Sequence, residues 1–226
     1  MGEVIGQLLP TAVGVMLSPL PIVGVILMLL SNKARVNGPA FLIGWLAGLA
    51  IIVGGIVAFV DPDRLNKSEG SPSTLSGILH LALGVLLLLL AVKQWKGRPK
   101  AGEDPQMPSW MAKMQDASPI FAVGMGAFLS GLNPKNLIFD IAAAASIVAG
   151  DLSTTQQVVA VLVFMLLASL TIGIPVIWYL VAGESAKAKL DTLRGYLVQY
   201  NWVIMMVLFL VLGAKLIGQS LPAFVD

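Results

Sequence analysis

Asn133, Pro134, Lys135, Asn136 and, four residues further on, Asp140 stand inside an apolar run that extends over residues 120–147. A charged side chain at the centre of a bilayer costs roughly 2.5–3.5 kcal/mol on insertion scales, and proline removes a backbone donor that lipid cannot replace. Residues of these types therefore need a polar cavity or a protein interior around them. Asn133 is a good N-cap residue and Pro134 suits the first position of a helix, so the run reads as two half-helices with a break between them. The second half-helix presents free N–H groups and a positive dipole end to whatever occupies the break. Lys135 falls in that first turn, where a cation is disfavoured and a bound anion would relieve it. Asp140 is on the Asn136 face and about 140° round the helix from Lys135. An ion pair within this helix is thus awkward, and a protonatable carboxyl here is a natural site of proton coupling.

Residues 4–30 form the other long run with internal prolines, and Ser18 can cap a second half-helix that begins at Pro19, with Pro21 in its first turn. Residues 14–20 align with residues 126–132 at an offset of 112, with Gly, Leu, Ser and Leu identical and Ser18 falling on Ser130. Ser18, Pro19, Pro21, Ser130, Asn133, Pro134, Lys135 and Asn136 are accordingly the candidate substrate-binding residues.

The elements that must position them are membrane helices. The chain is 57% hydrophobic and 12% charged, with a net charge near +2, one His and no Cys. Disulfides, thiolate metal sites and thiol relays are excluded, and no metal, cofactor or nucleic-acid signature is present. Met1-Gly2-Glu3 lacks the basic region of a cleaved signal peptide. Six apolar runs, 4–30, 40–60, 75–92, 120–147, 158–181 and 202–217, predict an all-α integral membrane protein. A basic, Pro- and Gly-containing loop at 93–118 divides it into halves of about 1–92 and 119–226 within a single transmembrane domain. Three spans per half require opposite insertion, which is an inverted repeat with helices 1 and 4 broken at mid-membrane. Basic residues concentrate in the odd-numbered loops, which places those loops in the cytoplasm and both termini outside. Gly44 and Gly48 form a small-residue packing face that Gly54 and Gly55 extend. His80 near one end of run three reads as hydrogen-bonded close to the interface.

Leu17-Ser18-Pro19-Leu20-Pro21 in span one, Gly131-Leu132-Asn133-Pro134-Lys135-Asn136 in span four and the basic loop after span three resemble the lysine-exporter (LysE) superfamily. Within it the chain is most similar to the actinobacterial GAP/Sap branch of glycopeptidolipid- and sulfolipid-addressing proteins. The resemblance implies an inner-membrane exporter or flippase of an anionic or amphipathic substrate, a cell-envelope glycolipid. Leu20 stands where amino-acid exporters carry Gly in Pro-Gly-Pro, which argues against a tight amino-acid pocket. The alternatives are a small-solute exporter and a non-transporting scaffold for glycolipid assembly and export. No nucleophile–base pair suggests an enzyme. The partners expected are membrane lipids, an anionic lipid or small organic substrate, envelope-lipid synthesis and export machinery, and a second copy of the chain.

Overall fold

The computed structural model of the protein describes residues 1–60, 74–98, 116–150 and 152–221. Among these residues the regular structure is entirely helical. Run one becomes α1 (Gly2–Met16) and α2 (Pro19–Leu30), bent by 55° at Leu17-Ser18. Run two is α3 (Ala34–Phe59), which carries a wider π-helical turn at Ala50–Gly54. Run three is α4 (Thr74–Lys96). Run four divides into α5 (Pro119–Leu132), whose last turn at Phe128–Leu132 is π-helical, and α6 (Pro134–Val148). Run five divides into α7 (Thr154–Ala168) and α8 (Leu170–Ala182), and run six lies in α9 (Lys187–Ser220).

Among the described residues, two helical stretches, Ala34–Phe59 and Leu170–Gly218, are long and apolar enough to cross a bilayer, or three with the bent α1–α2 pair counted as one span. Helices of this kind make the chain a membrane protein. The picture differs from six plain spans because proline, serine and asparagine interrupt several of the apolar runs.

The helix starts follow local chemistry. Ser118 Oγ accepts from Phe121 N–H, with Pro119 at the first position of α5. Ser153 and Gln156 form a reciprocal capping box at α7. Gly183, with φ of +60°, ends α8 in a conformation that favours glycine.

The chain forms two compact units, one of Met1–Leu65 and Met107–Tyr196, the other of Asn66–Gln106 and Leu197–Asp226. In the first, α2 is buried on nearly all sides, as expected for a helix apolar all round. Phe41, Trp45, Phe164 and Tyr179 are its largest fully buried rings. Its most extensive contact joins α3 and α5, which run in the same direction. A Cβ added at Gly44 would collide with the Val123 carbonyl, one at Gly48 with Ser130 Oγ, and one at Gly126 with the Phe41 carbonyl. Small residues here let two backbones touch, the packing that lipid-embedded helices rely on. The expected face stops at Gly48: Gly54 and Gly55 have nothing within 4 Å of an added Cβ.

One end of this unit joins three connections. Asn32 Nδ2 donates to Asp116 Oδ1 (3.2 Å), and Asn37 Nδ2 donates to Ser31 Oγ (3.0 Å) and to the Ala117 carbonyl (2.9 Å). Arg35 lies beside Gly183, Tyr179 OH donates to Glu184 Oε1 (3.0 Å), and Lys187 pairs with Glu184 at 2.9 Å. Hydrogen bonds from Lys187 and Tyr179 hold the Glu184 carboxyl below its ordinary range. At the opposite end Gly150, just past α6, lies against Val4 of α1.

In the second unit α4 and the later part of α9 run antiparallel. Gly84 faces Gly213 and Ile217, and Trp95 meets Trp202 edge-to-face with centroids 5.8 Å apart. The Arg98 guanidinium lies 4.4 Å from the Trp95 ring centroid. Residues 99–115 of the basic loop, and the His80 side chain, lie outside the described residues.

Candidate functional site

The two breaks expected from the prolines are brought together inside the first unit. Asn133 has extended backbone (φ −66°, ψ 118°) and caps α6, its Oδ1 accepting from Lys135 N–H at 3.2 Å. Pro134 occupies the first helical position, where its missing N–H costs nothing. Ser18 has the matching extended backbone (φ −94°, ψ 103°) ahead of Pro19, but its hydroxyl makes no cap bond. Pro21 supplies no donor in that first turn, so a capping hydroxyl has one fewer N–H to receive.

Both breaks place an extended residue before a proline, Ser18 before Pro19 and Asn133 before Pro134. Ser130 lies within the π-helical turn of α5, fully buried, donating to the Ala127 carbonyl at 3.1 Å and resting against Gly48.

Lys135 joins the breaks. Its Nζ donates to the Leu17 carbonyl at 3.3 Å, at the C-terminal end of α1. That end carries unsatisfied carbonyls and the negative pole of the α1 dipole. The repulsion a cation meets in the first turn of its own helix is thus offset by the end of another helix, where the sequence suggested an anion. An ammonium has three donors, and one is committed here. Leu17, Leu132 and Pro134 around it are exposed, whereas Ser18, Pro19 and Pro21 are buried.

Thr171 and Ser169 form a part of the site that the proline pattern did not reveal. Run five is interrupted at Ser169, which accepts from Trp45 Nε1 at 3.1 Å. Two residues on, Thr171 Oγ1 donates to the Met16 carbonyl at 2.7 Å. The last two carbonyls of the α1 end are therefore held by α8 and α6 respectively. A Ser-x-Thr pair in an apolar run was the available signal, weak because both hydroxyls usually bond back to their own helix.

Behind the break, Asn136 and Asp140 are both completely buried. Asn136 Nδ2 donates to the Leu129 carbonyl in the π-helical turn at 2.9 Å. Its Oδ1 and both Asp140 carboxyl oxygens have no hydrogen-bond partner among the described residues. Phe139, between them in sequence, is buried with its ring against Gly14 of α1. Lys135 therefore ties the α6 break to Leu17, the residue before Ser18, Ser130 lies on the α3 side, and Asn136 and Asp140 lie buried along α6.

A protein-family model described as Sap, sulfolipid-1-addressing protein matches residues 8–222. No curated protein and no solved structure matches the chain.

Proposed function

Because the chain belongs to the Sap, sulfolipid-1-addressing protein family, we propose that it acts in lipid export or localisation as an inner-membrane exporter or flippase of an anionic cell-envelope lipid. The observation that carries this reading is the Lys135 ammonium at the Leu17 carbonyl, where two broken helices meet. A cation with one of its three donors committed, lying between helix ends with exposed Leu17, Leu132 and Pro134 beside it, suits a sulfate or phosphate headgroup whose alkyl chains remain in lipid. Ser18, Pro19, Pro21, Asn133 and Pro134 shape the break, and Asp140 is the group that gains and loses a proton as the site changes face. No step of this reading makes or breaks a covalent bond in the substrate, so the protein is not an enzyme.

Six spans in two inverted halves, as in the LysE superfamily, fit this role. Two features support them. α1–α2 and α5–α6 are both broken before a Ser-Pro or Asn-Pro step and run in opposite directions between the Val4–Gly150 end and the Asn32–Asp116 end. Each compact unit also draws the same spans from both halves: one, two, four and five in the first unit, three and six in the second. The basic odd-numbered loops belong in the cytoplasm, and both termini outside.

Flux of a labelled anionic glycolipid and of amino acids into reconstituted liposomes tests the proposal, with wild type and Lys135→Ala. Lipid movement that falls at least tenfold in Lys135→Ala is the expected result. Movement of amino acids alone would favour the small-solute exporter. Movement of neither by correctly folded protein would favour a scaffold for lipid assembly.

A further inference from the structure

Three oxygens that can only accept hydrogen bonds, Asn136 Oδ1 and the two of an ionised Asp140, lie fully buried one helical turn apart on one face of α6. Residues so spaced have Cβ atoms about 5–6 Å apart, within reach of two short polar side chains. The Asn136 amide cannot turn its NH2 toward Asp140 while Nδ2 is engaged by the Leu129 carbonyl. Unsatisfied buried acceptors of this kind cost about 1–3 kcal/mol each, more when charged. One added hydrogen removes most of that cost.

Among the described residues the surroundings offer no other source of charge. The elements packed on α6 are α1, the end of α3, the π-helical turn of α5, and α7. Their only ionisable side chains are Glu3 in the first turn of α1 and Arg35 in the first turn of α3, both exposed. Lys135 on α6 itself is directed to Leu17.

We propose that Asn136 and Asp140 form a single buried proton site, and that Asn136 serves this site rather than the transported substrate. A proton taken from water at one membrane face forms an O–H bond on Asp140, which donates to Asn136 Oδ1. Asn136 then keeps Nδ2 on the Leu129 carbonyl and the break stays closed. When the O–H bond breaks, the proton leaves to water at the other face and the carboxylate keeps the electron pair. Two like partial charges then face each other, and the amide turns to give Nδ2 to the carboxylate. That releases Leu129 and loosens the π-helical turn beside Ser130 and Gly48. Asn136 is thus a positioning residue that converts the charge on Asp140 into the state of the helix break. The inference rests on the exporter reading for its purpose, but its test does not depend on transport.

Infrared difference spectra of the protein in lipid nanodiscs, recorded as pH is stepped, report the C=O stretch of a protonated carboxyl. A band that disappears in Asp140→Asn and shifts in Asn136→Val is expected. An unshifted band, or none at any pH, overturns the proposal. Should Asn136→Val not fold, the chain's lack of native cysteine permits a second readout with Ser130→Cys. Its maleimide labelling should rise several-fold more with pH in the otherwise wild-type chain than in the Asp140→Asn background, where only thiol ionisation changes. Equal pH profiles in the two backgrounds overturn the proposal, as does labelling that responds to sodium at fixed pH, which would assign a metal cation to the site. Loss of lipid flux with the infrared shift intact refutes the exporter alone, and flux without the shift refutes this site alone.

Discussion

At Gly44 any side chain would occupy the space of the Val123 carbonyl, which belongs to backbone and cannot swing aside. Gly54, ten residues along the same helix, has open space around it. Gly44→Ala should therefore destabilise the protein by about 1–3 kcal/mol through overpacking, and Gly54→Ala should leave it unchanged or slightly more stable. Thermal unfolding of both variants in detergent micelles checks this, and equal melting temperatures would show that the α3–α5 seam is not tight. The contrast also marks how far single residues could be read from the chain alone. The spacing of Gly44 and Gly48 announced a packing face, but the partner that fills it, Gly126 and the carbonyls around it, is distant in sequence and left no local trace. Asn133-Pro134 was legible because capping is chemistry between neighbours. The unoccupied Ser18 hydroxyl was not, since Pro21 alters the donors it would meet.

On the scale of helices, the unanticipated feature is the interruption between α7 and α8. No proline stands at the break, and hydropathy passes through Ser169 without a dip large enough to end the run. Its cause is tertiary, in the Trp45 indole that donates to Ser169 Oγ and the Thr171 hydroxyl that reaches the Met16 carbonyl. Thr171→Val keeps the shape and removes the donor. It should cost about 1 kcal/mol, measured as a lower midpoint of thermal unfolding, and Thr171→Ser should restore most of the loss. An unchanged midpoint for Thr171→Val would mean that another group satisfies the end of α1.

At the largest scale, within the first unit, the contacts that join Asn32 to Asp116 and Arg35 to Gly183 gather the first, third and fifth connections at one end of that unit, with Val4 and Gly150 at the other. The proposed topology then predicts two sets of accessible positions. Single cysteines at Asn32 and Ser185 should label with membrane-impermeant maleimide only in inverted vesicles, and those at Gly2 and Thr154 only in intact cells. Labelling of Gly2 and Thr154 from different faces would overturn the six-span arrangement. All-helical membrane architecture was plain from the apolar runs, because lipid leaves a chain few ways to satisfy its backbone. The division into two compact units was not, because it depends on contacts between segments far apart in sequence.

The carbonyls that end α1 are stopped by the protein's own Thr171 and Lys135. A bare helix end inside a bilayer recruits water, and a file of water conducts protons. With those groups capped from within, the end of α1 offers water no unpaired Met16 or Leu17 carbonyl on which to build such a file.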